Sequence, residues 1–136
     1  MADLDRFVRA QDATHAGALD ELRRGRKTSH WMWFVFPQIA GLGRSETARY
    51  YAIASTAEAR AYLAHPVLGA RLIEATEAAI GAPGSAEAIF GGIDAVKLRS
   101  SMTLFEAVAD DPAPFAAALA RFFGGERDAE TLRLLA

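Results

Sequence analysis

Cysteine is absent from this sequence of 136 residues. Its absence excludes disulfide bonds and metal sites built on thiolates, and it is consistent with a reducing compartment. The three histidines, His15, His30 and His65, lie far apart in the sequence and do not have the spacing of metal ligands. We therefore expect neither a metal ion nor another cofactor.

Long apolar segments and an excess of positive charge are also absent. The apolar run from Trp31 to Phe36 is far shorter than the roughly 20 residues that span a bilayer, and the N-terminus lacks the regions of a secretory signal. The net charge is −2 and the calculated pI is about 5.9, whereas nucleic-acid-binding domains usually have a basic stripe. We expect a soluble cytoplasmic protein that binds neither membranes nor nucleic acid.

The common catalytic and phosphate-binding motifs do not occur either. Gly41-Leu42-Gly43 lacks the third glycine and the preceding strand of a dinucleotide-binding motif. No serine lies in a nucleophile elbow. Any site must therefore be identified from less familiar combinations of residues.

What the sequence does contain is the pattern of helices. Its length is typical of one domain, here residues 1–136, and alanine, a strong helix former, is abundant. Leu98, Met102, Phe105 and Ala109 have the spacing of one buried helix face. The pattern predicts an all-α, compact irregular bundle of about seven to eight short helices. The residues predicted to cap helices are Ser45, Ser55, Ser85, Asp94 and Asp128.

The segment from Ser29 to Pro37 is ambiguous between strand and helix. Its aromatic residues and Val35 suit a buried strand. No partner strand is evident elsewhere, and a lone strand leaves its backbone groups unpaired. We therefore predict a short helix that is capped by Ser29 and ends near Pro37.

The same segment is the first candidate site, because Trp31 and Trp33 lie close to His30 and Gln38. Aromatic walls with a few polar groups are typical of small-molecule pockets. A planar group can stack there, and an imidazole such as that of His30 titrates near neutrality. The alternative is that these aromatic residues are simply core, with Gln38 as a hydrogen-bond partner for an indole.

The second candidate site is the stretch from Lys97 to Thr103. Lys97 and Ser101 share a helix face, and Ser100 and Thr103 flank it. A lysine with nearby hydroxyls can bind a phosphate or carboxylate, and a desolvated amine can act as base or nucleophile. The alternative is an ordinary exposed polar face. The candidate catalytic residues are therefore His30 and Lys97, and the other candidate ligand contacts are Trp31, Trp33, Gln38, Ser100, Ser101 and Thr103.

Both segments resemble the DUF1810 family of uncharacterised bacterial proteins, and the similarity extends over nearly the whole chain. The resemblance implies an all-α fold and implies no activity. The stretches that carry it are 7–11, 29–38, 41–43, 62–69, 89–91 and 94–105.

A second likeness is to the helical ADP-ribose-handling family called NADAR, in the run from His65 to Thr76 and in Phe90-Gly91. That likeness implies a pocket for a ribose-phosphate compound and cleavage of an N-glycosidic bond.

Two functions follow as hypotheses. The first is binding of a small molecule with an anionic group, extending to hydrolysis of a nucleotide or ribose-phosphate type of ligand. It predicts that the two candidate segments converge on one cleft and that a tryptophan is partly exposed. The alternative is a non-enzymatic protein-interaction module, with its partner surface in the basic patch after Glu21 or in the last helix after Gly125.

Overall fold

The computed structural model describes residues 3–136, which form ten α-helices and no β-strand. Seven of the helices have seven or more residues. The all-α irregular bundle expected from the sequence is therefore confirmed. The bounds are α1 Asp5–Asp12, α2 His15–Arg23, α3 Met32–Val35, α4 Glu46–Tyr50, α5 Thr56–Ala64, α6 Leu68–Gly81, α7 Ala86–Phe90, α8 Gly92–Val108, α9 Ala113–Phe123 and α10 Ala129–Leu135.

Helix α8, with 17 residues, is the longest described helix and is surrounded by α5, α7, α9 and α10. Leu98, Met102 and Phe105 are buried as predicted, and each such side chain contributes about 1.5–3 kcal/mol on burial. Ala109, the fourth residue of the predicted face, lies just beyond α8 as its C-cap. Within residues 3–136, no helix combines the length and the apolarity that crossing a bilayer requires.

The aromatic segment forms a shorter helix than we predicted. Helix α3 begins at Met32 with Trp31 at its N-cap, so the predicted cap by Ser29 is wrong. The reason is that the Ser29 hydroxyl donates a hydrogen bond to the carboxylate of Glu21. After α3 the chain runs extended, and Ile39 forms an isolated parallel bridge with Ile53.

Local caps set the beginnings of four other helices, as the sequence predicted. The hydroxyls of Ser45, Ser55 and Ser85 each accept a hydrogen bond from the backbone N–H three residues later, at 3.1 Å. The carboxylate of Asp128 accepts one from the backbone N–H of Thr131 at 2.9 Å. Each cap satisfies a backbone donor that the first turn of a helix leaves without an intrahelical partner.

Asp94 was predicted to cap the long helix, and this prediction is wrong. Helix α8 begins at Gly92, with Gly91 at its N-cap, three residues before the predicted cap. Gly91 has φ of +83°, a conformation that glycine adopts without strain, so the chain passes directly from α7 into α8. Asp94 therefore lies within the first turn, and its carboxylate is available to bind side chains.

Candidate functional site

A cleft of about 420 Å³ opens between the first half of α8, the loop between α3 and α4, and the beginning of α10. We call it the α8 cleft. Its volume lies within the range of roughly 300–1,000 Å³ that is typical of small-molecule sites. The lining residues are Gln38, Leu42, Gly43, Ile93, Val96, Lys97, Ser100, Asp128 and Glu130.

One face of α8 supplies four of these residues. Ile93, Val96, Lys97 and Ser100 are separated by three, one and three residues, so they point in the same direction. Ile93 and Val96 are 77% and 62% exposed, respectively, although both are apolar. Sequence reasoning missed these two residues, although their helical spacing from Lys97 was a signal that could have identified them.

Lys97 shares the carboxylate of Asp94 with a second lysine. The Lys97 Nζ lies 3.4 Å from Asp94 Oδ1, and the Lys27 Nζ lies 2.8 Å from Asp94 Oδ2. Lys27 is the more buried of the two ammonium groups and also donates a hydrogen bond to the carbonyl of Ser29 at 2.6 Å. Two positive charges against one negative charge leave this group of residues with a net charge of +1.

Trp33, from the aromatic segment, lies next to Lys97, from the second candidate segment. The Lys97 ammonium lies 4.7 Å from the centre of a Trp33 ring, which is a cation–π distance. Trp33 is partly exposed and, together with Gln38 and Gly43, lines a small depression beside the α8 cleft. The structure therefore brings Trp33, Gln38, Lys97 and Ser100 together.

Trp31 does not belong to this group, because it is fully buried in the core. Its indole N–H donates a hydrogen bond to Glu21 Oε1 at 3.0 Å, so Glu21, and not Gln38, is the partner that a buried indole requires. In this position Trp31 packs against Phe36 and Phe90 and is inaccessible to a ligand in the cleft.

The carboxylate of Glu21 organises the turn that leads to the aromatic segment. It accepts hydrogen bonds from the backbone N–H groups of Thr28 and Ser29 at 2.7 and 2.9 Å, and from the Ser29 hydroxyl at 2.7 Å. Burial alone raises the pKa of Glu21, but these bonds and that of Trp31 outweigh it and lower the pKa to about 2. The charged carboxylate therefore holds this turn in place.

Ser101 and Thr103 are fully buried and do not line the cleft. The Thr103 hydroxyl is engaged inside the protein, where it donates to the carbonyl of Arg99 at 2.8 Å. Ser100 is also buried, with 3% of its surface exposed, and its hydroxyl donates to the carbonyl of Val96 at 3.2 Å. Of the three predicted hydroxyl residues, only Ser100 belongs to the lining of this cleft.

His30 lies on the exposed surface and is not among the residues that line the cleft. Among residues 3–136 its ring has no hydrogen-bond partner, whereas catalytic histidines are usually oriented by one. Of the two candidate catalytic residues, the structure therefore places only Lys97 at the cleft.

A second depression, of about 370 Å³, lies between α5, α6 and the connection from α8 to α9. Its floor contains Val108 and Phe115, and Arg60, Asp110 and Asp111 lie around it. None of the candidate ligand residues lines it, so the α8 cleft is the one that the sequence and the structure both indicate.

Comparison with known proteins gives a family and a fold. The model of a family described as "Protein of unknown function (DUF1810)" matches residues 1–135. The crystal structure of a conserved hypothetical protein from Mycobacterium tuberculosis is 51% identical, with a TM-score of 0.96 over 98% of this chain and 96% of that one. No functionally curated protein matches the sequence significantly. The family resemblance seen in the sequence is confirmed.

Proposed function

Because the chain belongs to the DUF1810 family, which has no assigned activity, we propose its function from the α8 cleft: binding of a small molecule with an apolar body and an anionic group. The observation that carries the proposal is the convergence of Gln38, Lys97 and Ser100 at one cleft, with Trp33 beside it against the Lys97 ammonium. Small-molecule sites combine apolar walls with a few polar groups in this way.

The anionic group is the part that Lys97 would bind. The Lys97 side chain is about one-quarter exposed, and Asp94 satisfies its ammonium group only in part, at 3.4 Å. Lys27 binds the same carboxylate more closely, at 2.8 Å. The N–H groups of Lys97 that remain are available to an anionic ligand, and charge-assisted hydrogen bonds of this kind are strong.

The apolar body would pack against Ile93, Val96 and Leu42. Ile93 and Val96 expose more of their surface than any other large apolar side chain within residues 3–136. Covering such surface is favourable by about 25 cal/mol for each Å² removed from water. An apolar ligand therefore gains free energy from the same face of α8 that supplies Lys97.

The more specific form of the proposal is hydrolysis of a nucleotide or ribose-phosphate ligand. Lys97 is the candidate catalytic residue at the cleft, and to act as a base or nucleophile its ammonium group would first have to release a proton. Turnover of ADP-ribose by the wild-type protein, lost in a Lys97→Met variant that still folds, would extend the function from binding to catalysis.

The test of binding is a thermal-shift screen of metabolites, with the two indole N–H signals of Trp31 and Trp33 followed by NMR. A ligand at a hundred times its Kd adds about 2.7 kcal/mol of stability. We expect a stabilising ligand to shift the Trp33 signal more than that of buried Trp31. Lys97→Met should weaken binding about tenfold, whereas Arg23→Gln, which removes a charge outside the cleft, should not. If no anionic, neutral or cationic compound raises the melting temperature or shifts the Trp33 signal, the proposal is overturned.

The alternative function, a protein-interaction module, has one observation in its favour. The exposed apolar side chains of Ile93 and Val96 are adjacent on α8, and exposed apolar surface often marks an interface. If this alternative holds, an Ile93→Ser/Val96→Ser variant would lose a protein partner, whereas Lys97→Met, which should weaken the binding of an anionic small molecule, would keep that partner. This alternative is favoured if the Ile93→Ser/Val96→Ser variant no longer captures a protein partner that the wild type binds, and if no compound in the thermal-shift screen binds the wild type.

A further inference from the structure

The charges around the α8 cleft point to a preference among anions. We propose that the cleft selects a carboxylate with a single negative charge over a phosphate monoester with two, and that Lys27, which does not line the cleft, sets this preference through Asp94. The inference rests on the proposed binding of an anionic small molecule, since it concerns the class of ligand that binds at Lys97, and it argues against the more specific proposal that this ligand is a ribose phosphate.

On the α8 wall, one positive charge is left uncompensated. Asp94 lies between two ammonium groups, with Lys27 at 2.8 Å and Lys97 at 3.4 Å. Lys27 is also held by the carbonyl of Ser29 and lies 5.1 Å from the centre of a Trp31 ring. Lys27 is therefore satisfied within the protein, and the net charge of +1 is available to a ligand at Lys97.

The opposite wall carries negative charge. Asp128 lines the cleft, and within residues 3–136 no cation forms a salt bridge with it. Its carboxylate accepts hydrogen bonds from the backbone N–H and the hydroxyl of Thr131. Glu130 is neutralised by Arg133, whose hydrogen bond lowers the pKa of Glu130 and keeps it ionised.

A ligand with one negative charge matches this arrangement. Its charge is balanced by the net charge of +1 at Lys97, and its apolar body lies against Ile93 and Val96. A phosphate monoester above pH 7 carries nearly two negative charges. Lys97 is the only cation among the described residues that line the cleft, so the second charge is left unbalanced and is repelled by Asp128, and binding is weakened.

Lys27 controls this balance because it occupies one oxygen of the shared carboxylate. Without Lys27, Asp94 would pair fully with Lys97 and the net charge of this group would fall from +1 to 0. Without the charge of Asp94, it would rise to +2 and suit a dianion. When both are removed, Lys97 is left alone and the net charge returns to +1.

The test compares probes with the same ring and different charge at pH 8: phenylacetate, phenyl phosphate and neutral phenylacetamide, with indole-3-acetate as a larger carboxylate. Affinity is measured by isothermal titration calorimetry and by the shift of the Trp33 indole signal. We expect the carboxylates to bind about fivefold more tightly than phenyl phosphate, an energy of the size expected for one partly screened charge, and phenylacetamide to bind most weakly.

Three variants test the role of Lys27. Lys27→Met should weaken carboxylate binding about fivefold, and Asp94→Asn should reverse the preference in favour of phenyl phosphate. Each single variant leaves one partly buried charge with a poorer partner, whereas the double variant Lys27→Met/Asp94→Asn removes the pair and should restore the wild-type preference. Arg23→Gln is the control for the loss of a charge that neither lines the cleft nor pairs with Asp94.

The outcomes separate the inference from the function on which it rests. If no anionic probe binds, the proposed small-molecule function fails. If phenyl phosphate binds as tightly as the carboxylates to the wild-type protein, the function stands and the preference is overturned. If the double variant behaves like Lys27→Met alone, the preference does not arise from charge balance, and the role given to Lys27 is wrong.

Discussion

The hydroxyl of Thr103 in α8 accepts a hydrogen bond from the backbone N–H of Asp128, at 2.9 Å. Arg99, one turn before Thr103 in α8, donates a hydrogen bond to the carbonyl of Glu126 at 3.1 Å, so the same helix holds the chain just before α10 at two points. Asp128 lines the α8 cleft. Thr103 therefore fixes one wall of the cleft from within the core, which is a different role from the ligand contact predicted from the sequence.

Replacing Thr103 by valine tests this role. The change preserves the shape of the side chain but leaves the Asp128 N–H without its partner, and we expect a loss of about 1–3 kcal/mol in the free energy of unfolding. Urea denaturation measures the loss, and hydrogen exchange of the Asp128 amide locates it. Thr103→Ser, which retains the hydroxyl, should keep that amide protected. Equal exchange rates in Thr103→Val and wild type would show that this hydrogen bond does not hold the wall.

How far the sequence predicts this structure depends on how local each interaction is. Ser45, Ser55 and Ser85 were identified as caps because each partner lies three residues away along the chain. Asp94 was misassigned because its closest partner, Lys27, is distant in sequence, and the pairing exists only after the loop that follows α2 has packed against α7 and α8.

The candidate site shows the same limit. Lys97, Ser100 and Gln38 were identified from residue type, and Trp33 from the unusual density of aromatic residues. The burial of Trp31 could not be predicted, because the same density suits a core or a pocket. The far wall, formed by Asp128 and Glu130, was missed because nothing in the local pattern indicates that α10 packs against α8.

Glu21 makes acid stability a second test. In the unfolded chain its pKa is about 4.5, and in the folded protein hydrogen bonds lower it to about 2. The stability that Glu21 contributes is therefore fully present above about pH 5 and is lost as the pH falls towards 2. A difference of this size corresponds to about 3 kcal/mol. We expect the loss of stability between pH 5 and 2, measured by urea denaturation, to be smaller in Glu21→Gln than in wild type.

The control for this experiment is Glu87→Gln, because Glu87 is an exposed carboxylate on α7. Its pH dependence should follow that of the wild-type protein. If Glu21→Gln and Glu87→Gln lose stability in parallel with the wild type from pH 5 to 2, the hydrogen bonds at Glu21 do not favour the ionised carboxylate.

Two helical glycines should respond to alanine with opposite signs. A Cβ atom at Gly69 in α6 would lie 2.1 Å from the carbonyl oxygen of Leu63, a distance that forces α5 and α6 apart. We expect Gly69→Ala to destabilise the protein by about 1–3 kcal/mol or more. A Cβ atom at Gly17 in α2 would meet nothing within 4 Å, and Gly17→Ala should stabilise by about 0.4–1 kcal/mol. Thermal denaturation of both variants checks the pair, and a stable Gly69→Ala protein would contradict the close approach of α5 to α6.

Tyr62 gives the last prediction, which concerns alkaline pH. Its ring is fully buried, and its hydroxyl accepts a hydrogen bond from the side-chain amide of Gln11 at 2.9 Å. Burial raises the pKa of Tyr62 well above its ordinary value of 10, and the bond from Gln11 opposes this only in part. Above pH 10 the unfolded chain therefore loses a proton that the folded protein retains. From this group alone, stability should fall by about 1.4 kcal/mol for each pH unit.

Absorbance of the phenolate near 295 nm distinguishes Tyr62 from the other two tyrosines. We expect Tyr62 to ionise only together with unfolding. Tyr62→Phe should abolish the part of the absorbance change that accompanies unfolding, whereas Tyr50→Phe, at a residue that is 54% exposed, is the control and should leave that part in place. If all three tyrosines ionise before helical circular dichroism is lost, water reaches the Tyr62 hydroxyl in the folded state. In that case the hydrogen bond from Gln11 does not keep this hydroxyl inaccessible to solvent.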